Sequence, residues 1–420
     1  MTHDERDESV IDSGALPYRI SPHPKALSSF AVSRMLERVS YYLVRSLLIY
    51  YFIDRFQDGS IEEGYGIYKT AVAAAAASFV LGGWLVDRFF NPKKAITWAG
   101  LAIAVGYFVL AFGNSFTDTI SAVLVIAGLG LYTPAHFTAL RKFYTGRENF
   151  LLSGMAGYFA AVEAGALISS VLLAYALSFM GWRQGFMIAG IIMIVGHIYL
   201  LVVAKAFNER ALKPKVSEEP QHQKGSIFYT IAGGVILFFL SAMLTIRLPN
   251  IISEIDLSKL LFFDNGGLDF FFTAVTMLLL LALYGYYLRA RVNPLPIAGL
   301  GILTFLVVFV GFGFAVSQLG FGNKLGPLSV GILVLGYGIF WALVYPAVFA
   351  VILRYSESHS NFKVGILNAC VSLGAVSGWA FSEGASSAAF QSGTLIIGTG
   401  VLTLSGVYLL QKEKFSPSPD

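Results

Sequence analysis

KAFNERALKPKVSEEPQHQKG, residues 205–225, is the one long polar stretch in the interior of a 420-residue chain that is 56% hydrophobic and 13% charged. On either side of it the sequence is a succession of long apolar runs. Hydrocarbon about 30 Å thick takes roughly 20 apolar residues per helical span. On that measure the runs give six candidate helices before the polar stretch, at 27–53, 65–89, 94–113, 118–143, 150–179 and 184–206. Six more follow it, at 226–248, 267–289, 295–317, 328–354, 362–384 and 391–411. A soluble protein carries roughly 25% charged residues, so this composition, with a mean hydropathy of +0.69, excludes a soluble fold. Unbroken runs in place of short alternating ones exclude a transmembrane β-barrel. The predicted fold class is an all-α polytopic membrane protein with twelve transmembrane helices in two six-helix halves. Its predicted parts are a tail (1–26), an N-terminal half (27–206), a linker (207–225), a C-terminal half (226–411) and a second tail (412–420).

An even number of spans puts both termini on one side, and the charges predict which. With the termini in the cytosol, Arg88, Lys93, Lys94, Arg141, Lys142, Arg147 and the cations of the linker and tails all face inward. Only Arg55, Arg183, Lys259 and Lys324 fall in outer loops. This satisfies the positive-inside rule, and the inverse topology violates it. Residues 1–26 are polar and acidic, with no apolar core of a cleaved signal, so the expected location is the cell (inner) membrane, with both termini cytosolic. The net charge of +4 implies no nucleic-acid partner. Cys370 is the single cysteine and has no partner for a disulfide or metal cluster. No G-x-x-x-x-G-K-[ST] motif is present. No metal, no cofactor and no enzymatic activity are expected.

The halves echo each other. Pro134-Ala135-His136-Phe137 recurs as Pro346-Ala347-Val348-Phe349, and Asn149-Phe150 as Asn361-Phe362, both at an offset of 212 residues. A parallel duplication of six-helix halves resembles the major facilitator superfamily, whose substrate path runs between the halves. Pro134 and Pro346 each remove a helix hydrogen bond and favour a bend, which suits a gate; an ordinary transmembrane proline is the alternative. Gly82-Gly83-Trp84-Leu85-Val86-Asp87-Arg88, followed by Lys93-Lys94, reads as a tight helix end with an acid and a cluster of bases. It suits a latch built from Gly83, Asp87 and Arg88 and resembles the superfamily's loop motif, with Phe89, Phe90 and Asn91 where a glycine is usual. A purely topogenic positive loop is the alternative.

The first helix carries the densest charge. Arg34, Glu37, Arg38, Tyr41, Tyr42 and Arg45 fall within a wedge of roughly 140° on a helical wheel. Ionisable groups in a bilayer face a partner or a watery cavity, so this stripe is predicted to line a path between the halves. Arg34 could instead snorkel to the interface, and the others could form a structural ion pair. Glu163 lies in an otherwise small and apolar run of helix five. It is the leading proton-carrier or cation-contact candidate, against a plain pair with a helix-one arginine. Tyr68 is a candidate cavity wall.

Glu37-Arg38-Val39-Ser40-Tyr41-Tyr42, with Arg45 beyond, resembles the helix-one signature E-x-x-E-R-F-x-Y-Y of the proton-dependent oligopeptide transporter family. The likeness continues through Gly82 to Arg88, Gly128-Leu129-Gly130 to Pro134, and Gly181-Trp182-Arg183-Gln184-Gly185-Phe186. It is strong in the N-terminal half and loose in the C-terminal one. The resemblance implies that Arg38, Arg45 and the tyrosines line the pocket, Arg45 holding a peptide carboxylate. This chain also departs from the pattern. The signature's first glutamate falls on Arg34, a helix-four lysine on Thr133, a helix-five asparagine on Glu163, and the helix-ten glutamate that holds the peptide amino group on Trp341. Helix seven carries no acid.

The expected function is therefore secondary active transport of a small peptide or similar carboxylated solute by alternating access in a lipid bilayer, coupled to protons. Arg38, Arg45, Tyr41, Tyr42, Tyr68 and Glu163 are the expected substrate contacts, and Glu37 and Glu163 the proton-coupling groups. Two alternatives stand beside it: transport or facilitation of a non-peptide metabolite with altered coupling, and a non-transporting membrane sensor.

Overall fold

A computed structural model describes residues 26–55, 61–145, 148–203, 226–253, 265–289, 292–319, 327–355, 359–380 and 387–411; the whole predicted linker and the tails, apart from Ala26, lie outside them. Twelve helices account for nearly all of these residues. They are α1 (Ala26–Arg55), α2 (Ile61–Phe89), α3 (Pro92–Leu110), α4 (Ser115–Phe143), α5 (Leu151–Phe179) and α6 (Trp182–Val203), then α7 (Ser226–Ser253), α8 (Asn265–Arg289), α9 (Pro294–Leu319 in three segments), α10 (Pro327–Tyr355), α11 (Ser360–Ala380) and α12 (Ser387–Gln411). Ten are long and apolar enough to cross a membrane by length and composition, among the described residues. The other two are α1 and α11. In α1, Arg34, Glu37, Arg38 and Arg45 dilute the apolar content, and in α11 Ser360, Asn361, Lys363 and Asn368 do the same. Both contribute to the surface between the halves.

Local sequence sets the helix starts. The Asn91 side chain accepts the Lys93 amide at 3.0 Å with Pro92 in the first turn, and Asn293 accepts the Leu295 amide at 3.1 Å ahead of Pro294. Asn114 and Thr117 form a reciprocal capping box on α4. These caps satisfy backbone donors that a helix start leaves open. Helices α4 and α10 run on through Pro134 and Pro346. The expected regular ninth helix is corrected: Leu306–Phe312 winds as a π-helical turn between Pro294–Phe305 and Gly313–Leu319. A π turn absorbs an extra residue within a continuous helix, and apolar periodicity does not register it.

Within the N-terminal half α1 packs on α5 and α6, and α4 on α2 and α3; within the other, α11 packs on α7, and α10 on α8 and α9. Two contacts join the halves most extensively, α2 with α11 and α5 with α8. Glycine permits the closest of these. A Cβ on Gly83 would lie 2.4 Å from the Asn361 carbonyl oxygen, and one on Gly365 would lie 2.2 Å from that of Phe79.

Candidate functional site

The end of the bundle where α1 begins and α12 finishes, here the terminal end, is where the halves are fastened. Asp87 at the close of α2 accepts three hydrogen bonds from the start of α11: the Asn361 amide (3.2 Å) and Asn361 Nδ2 (2.7 Å) on Oδ1, and the Phe362 amide (2.8 Å) on Oδ2. A carboxylate at a helix N-terminus satisfies orphan donors and favours the helix dipole. Gly83 lets the two backbones meet beside it, whereas the Arg88 side chain is exposed and lies near the Trp84 and Phe89 rings. Ser153 Oγ donates to the Tyr284 carbonyl (2.9 Å), and the Thr138 and Ser360 hydroxyls lie 3.4 Å apart. Three residues beyond each helix proline, Phe137 and Phe349 stack across the halves at 4.5 Å.

Above this floor lies a cavity of about 240 Å³ between the halves. From α1 it is lined by Arg34, Arg38, Tyr41, Tyr42 and Arg45, and from α2 by Tyr68, Val72 and Phe79. Thr133 and Phe137 of α4 and Phe159 of α5 form one wall; Trp341 and Tyr345 of α10, with Asn368 and Ser372 of α11, form the opposite one. No acidic side chain is among the residues that line it. A second chamber of about 190 Å³, mostly apolar, shares Tyr41, Arg45 and Tyr68 with the first and continues past Leu48, Phe52 and Leu110 to Asp118 at the start of α4. The open volume thus extends away from the fastened end.

Five of the six stripe residues, all but Glu37, line this cavity, and their charges are not equivalent. Glu37, 2% exposed, is held by Arg38 in a two-pronged pair, Nε to Oε2 at 2.7 Å and Nη2 to Oε1 at 2.6 Å. Arg34, 3% exposed, places Nη1 2.9 Å from Glu37 Oε2. Two guanidinium groups therefore share one carboxylate. Arg38 also lies over the Tyr41 ring at 4.4 Å, and Tyr41 meets Tyr42 edge to face at 5.3 Å. Further along α1, Arg45 Nε donates to the Tyr68 hydroxyl. The cavity is lined by the uncompensated charge of two cations and by ring faces, a surface that attracts anions.

Glu163 is 8% exposed and is not among the cavity-lining residues. Its Oε1 accepts the indole N–H of Trp341 at 2.9 Å, so it stands behind the α10 wall and links α5 to α10 across the halves. Among the described residues it has no salt-bridge partner. Trp341 in turn packs against Tyr345 at 3.6 Å between ring centroids. Sequence reasoning did not foresee this link, nor the aromatic floor under Arg34: Tyr132, Tyr158 and His136, with His136 Nδ1 3.0 Å from the Tyr158 hydroxyl. The duplicated proline segments were a usable signal for Phe137 and Phe349. No comparable pattern marks Phe159, Tyr345 or Asn368.

Two helical halves around a cation-lined central cavity define a polytopic membrane transporter fold. The family model "Major Facilitator Superfamily" matches residues 33–379, and the chain belongs to that superfamily. It is similar to the uncharacterized transporter YclF of Bacillus subtilis, 28% identical over 251 residues covering 57% of this chain and 49% of that one. It is also similar to the peptide transporter YePEPT of Yersinia enterocolitica, 27% identical over 199 residues covering 46% of this chain and 38% of that one. The matched region thus spans half or less of those relatives. Among solved structures it resembles a POT family transporter in complex with 5-aminolevulinic acid, with a TM-score of 0.62, 19% identity and coverage of 94% of this chain and 97% of that one.

Proposed function

We propose that this protein is a secondary active transporter that moves a small peptide or similar carboxylated solute by alternating access, coupled to protons. The observation that carries the reading is the cavity between the halves, lined by Arg34, Arg38, Arg45 and tyrosines with no acid among its lining residues. Arg45, whose partner is the neutral Tyr68 hydroxyl, is the contact for the solute carboxylate. A carboxylate gains more from a guanidinium than a phenol does, through charge-assisted bonds roughly twice as strong as neutral ones. At the opposite wall Trp341, Tyr345 and Asn368 present ring faces and an amide, a surface that receives an ammonium group without a carboxylate.

The relatives support peptides as the cargo class, since YePEPT is a peptide transporter. The distribution of cations supports cytosolic termini, which makes the terminal end the cytosolic side and this arrangement one closed toward the cytosol. Asp87, Gly83, Pro134 and Pro346 then belong to the gate, with Arg88 outside its hydrogen bonds. For coupling, Glu163 is the buried acid beside the cavity whose surroundings change when the halves part, because its hydrogen-bond partner Trp341 belongs to the other half. A carboxylate whose environment differs between two facing states can carry a proton from one side to the other. Glu37, fixed between two arginines of its own helix, holds the cavity cations in place.

Binding tests the reading directly. A dialanine titration of the purified protein should show saturable binding that Arg45→Ala weakens by about ten-fold or more, the worth of one charge-assisted contact. Equal binding by both proteins would overturn Arg45 as the carboxylate contact.

A further inference from the structure

Arg34 and Thr133 both line the cavity, at the places where the family resemblance expects an acid and a lysine. Both are buried, Arg34 at 3% exposure and Thr133 at 4%. Both also hold polar atoms without hydrogen-bond partners: Nε and Nη1 of Arg34, and the Thr133 hydroxyl. Nη1 approaches Glu37 at 2.9 Å without the alignment of a hydrogen bond, and both Glu37 oxygens already receive Arg38. The Arg34 guanidinium also lies near the rings of Tyr132 and Tyr158, at 5.8 and 5.7 Å, and hydrogen-bonds the Tyr158 side chain. Buried donors without acceptors, here Nε and Nη1 of Arg34 and the Thr133 hydroxyl, are costly unless a ligand supplies the acceptor.

The charges around the cavity say which ligand. Glu37 carries one negative charge between Arg34 and Arg38, which leaves one positive charge in excess at that cluster and another at Arg45. The two lie about three helical turns apart on α1, and both side chains line the same cavity. Arg45 has a phenol for company, and Arg34 has aromatic rings and an unsatisfied hydroxyl. Among the described residues no acid lines this cavity; the nearest lining acid is Asp118, at the far end of the second chamber that Arg45 shares.

We propose that Arg34 and Thr133 form a second anion site at the terminal end of the cavity, which receives the second carboxylate of a dianionic cargo whose first is held by Arg45. This rests on the carboxylated-solute reading above and narrows it: the preferred cargo has two acidic groups, as in a peptide with an acidic side chain or a dicarboxylate. Arg34 offers a planar fork that matches a carboxylate, and the Thr133 hydroxyl completes the acceptor's surroundings. A cargo with one carboxylate leaves the Arg34 donors unpaired, and a site built to hydrogen-bond a group discriminates strongly against analogues that lack it.

The test is binding to the purified full chain in lipid nanodiscs, by calorimetry, with two matched probe pairs: Ala-Glu against Ala-Gln, and glutarate against its monoamide. Each pair differs only in one carboxylate replaced by its neutral amide. The proposal expects the diacid to bind about ten-fold or more tightly than its amide, that preference to vanish in Arg34→Gln, and Arg34→Lys to retain part of it. A monodisperse elution profile and an unfolding temperature close to the parent's serve as the check on folding in Arg34→Gln and Arg34→Lys. Equal binding of diacid and amide in both pairs, or a preference that survives Arg34→Gln, would overturn the second site. If the glutarate pair shows the Arg34-dependent preference and neither dipeptide binds, the second anion site stands and the peptide reading falls.

Discussion

Phe137 and Phe349 stack on one another across the two halves, ring centroids 4.5 Å apart and planes 16° from parallel, and each closes the same four-residue repeat that begins at a helix proline. The duplicated segment thus meets its own copy at the floor of the cavity. Phe159 joins them, 5.9 Å from Phe137 and 5.7 Å from Phe349.

Replacing Phe349 with alanine should loosen this floor. An aromatic pair is worth roughly 0.5–1.5 kcal/mol beyond its buried area, enough to shift a two-state equilibrium about five-fold. In a Cys370→Ala background, a cysteine at Val162, which lines the cavity, should be labelled faster from the terminal end once Phe349 is truncated. An unchanged labelling rate would show that the stack does not hold that end closed.

Asp87→Asn should open the same end by a different route. The carboxylate accepts three donors from α11, and the asparagine amide group cannot accept on both sides, so one backbone amide loses its partner at a cost of about 1–3 kcal/mol. Gly83→Val should have a larger effect, because its Cβ would fall 2.4 Å from the Asn361 carbonyl oxygen. The Val162 cysteine reports both. The prediction is an ordering, with labelling in Gly83→Val at least as fast as in Asp87→Asn and both faster than the parent.

Glu37→Gln removes the one carboxylate that two buried arginines share. Breaking a buried pair strands its partner charge and typically costs about 3–5 kcal/mol. Thermal unfolding in detergent should show a clear fall in Tm, larger than that of Glu163→Gln, whose one hydrogen bond among the described residues comes from an indole. Equal Tm values would mean that water already satisfies the arginines.

Glu163→Gln bears on coupling. A glutamine keeps the acceptor for Trp341 but holds no exchangeable charge, so uptake driven by an inward proton gradient should be lost while counterflow exchange continues. Gradient-driven uptake at the parent rate would remove Glu163 from the proton path.

Much of this architecture was legible in the chain. The polar stretch at 205–225 and the length of the apolar runs carried the six-and-six helix count, because the bilayer imposes one length on every span. The wedge of charge on α1 was legible for the same reason: a membrane helix has to turn its ionisable side chains inward. The partnerships inside the cavity were not. Helical spacing pairs Glu37 with Arg34, three residues before it, and not with its neighbour Arg38, yet the structure gives the two-pronged pair to Arg38 and leaves Nε and Nη1 of Arg34 without a hydrogen bond. Glu163 and Trp341 each depart from the family pattern, yet their contact joins two helices in different halves, which no local spacing encodes. The π turn at Leu306–Phe312 was invisible because it leaves the apolar run unbroken.

The central claim is a cavity that carries a carboxylated solute on Arg45, and uptake of labelled dipeptide into proteoliposomes, with and without an inward proton gradient, tests it most directly. The account predicts gradient-stimulated uptake by the parent protein and its loss in Arg45→Ala. No uptake by a folded, correctly oriented parent, or uptake undiminished in Arg45→Ala, would contradict it.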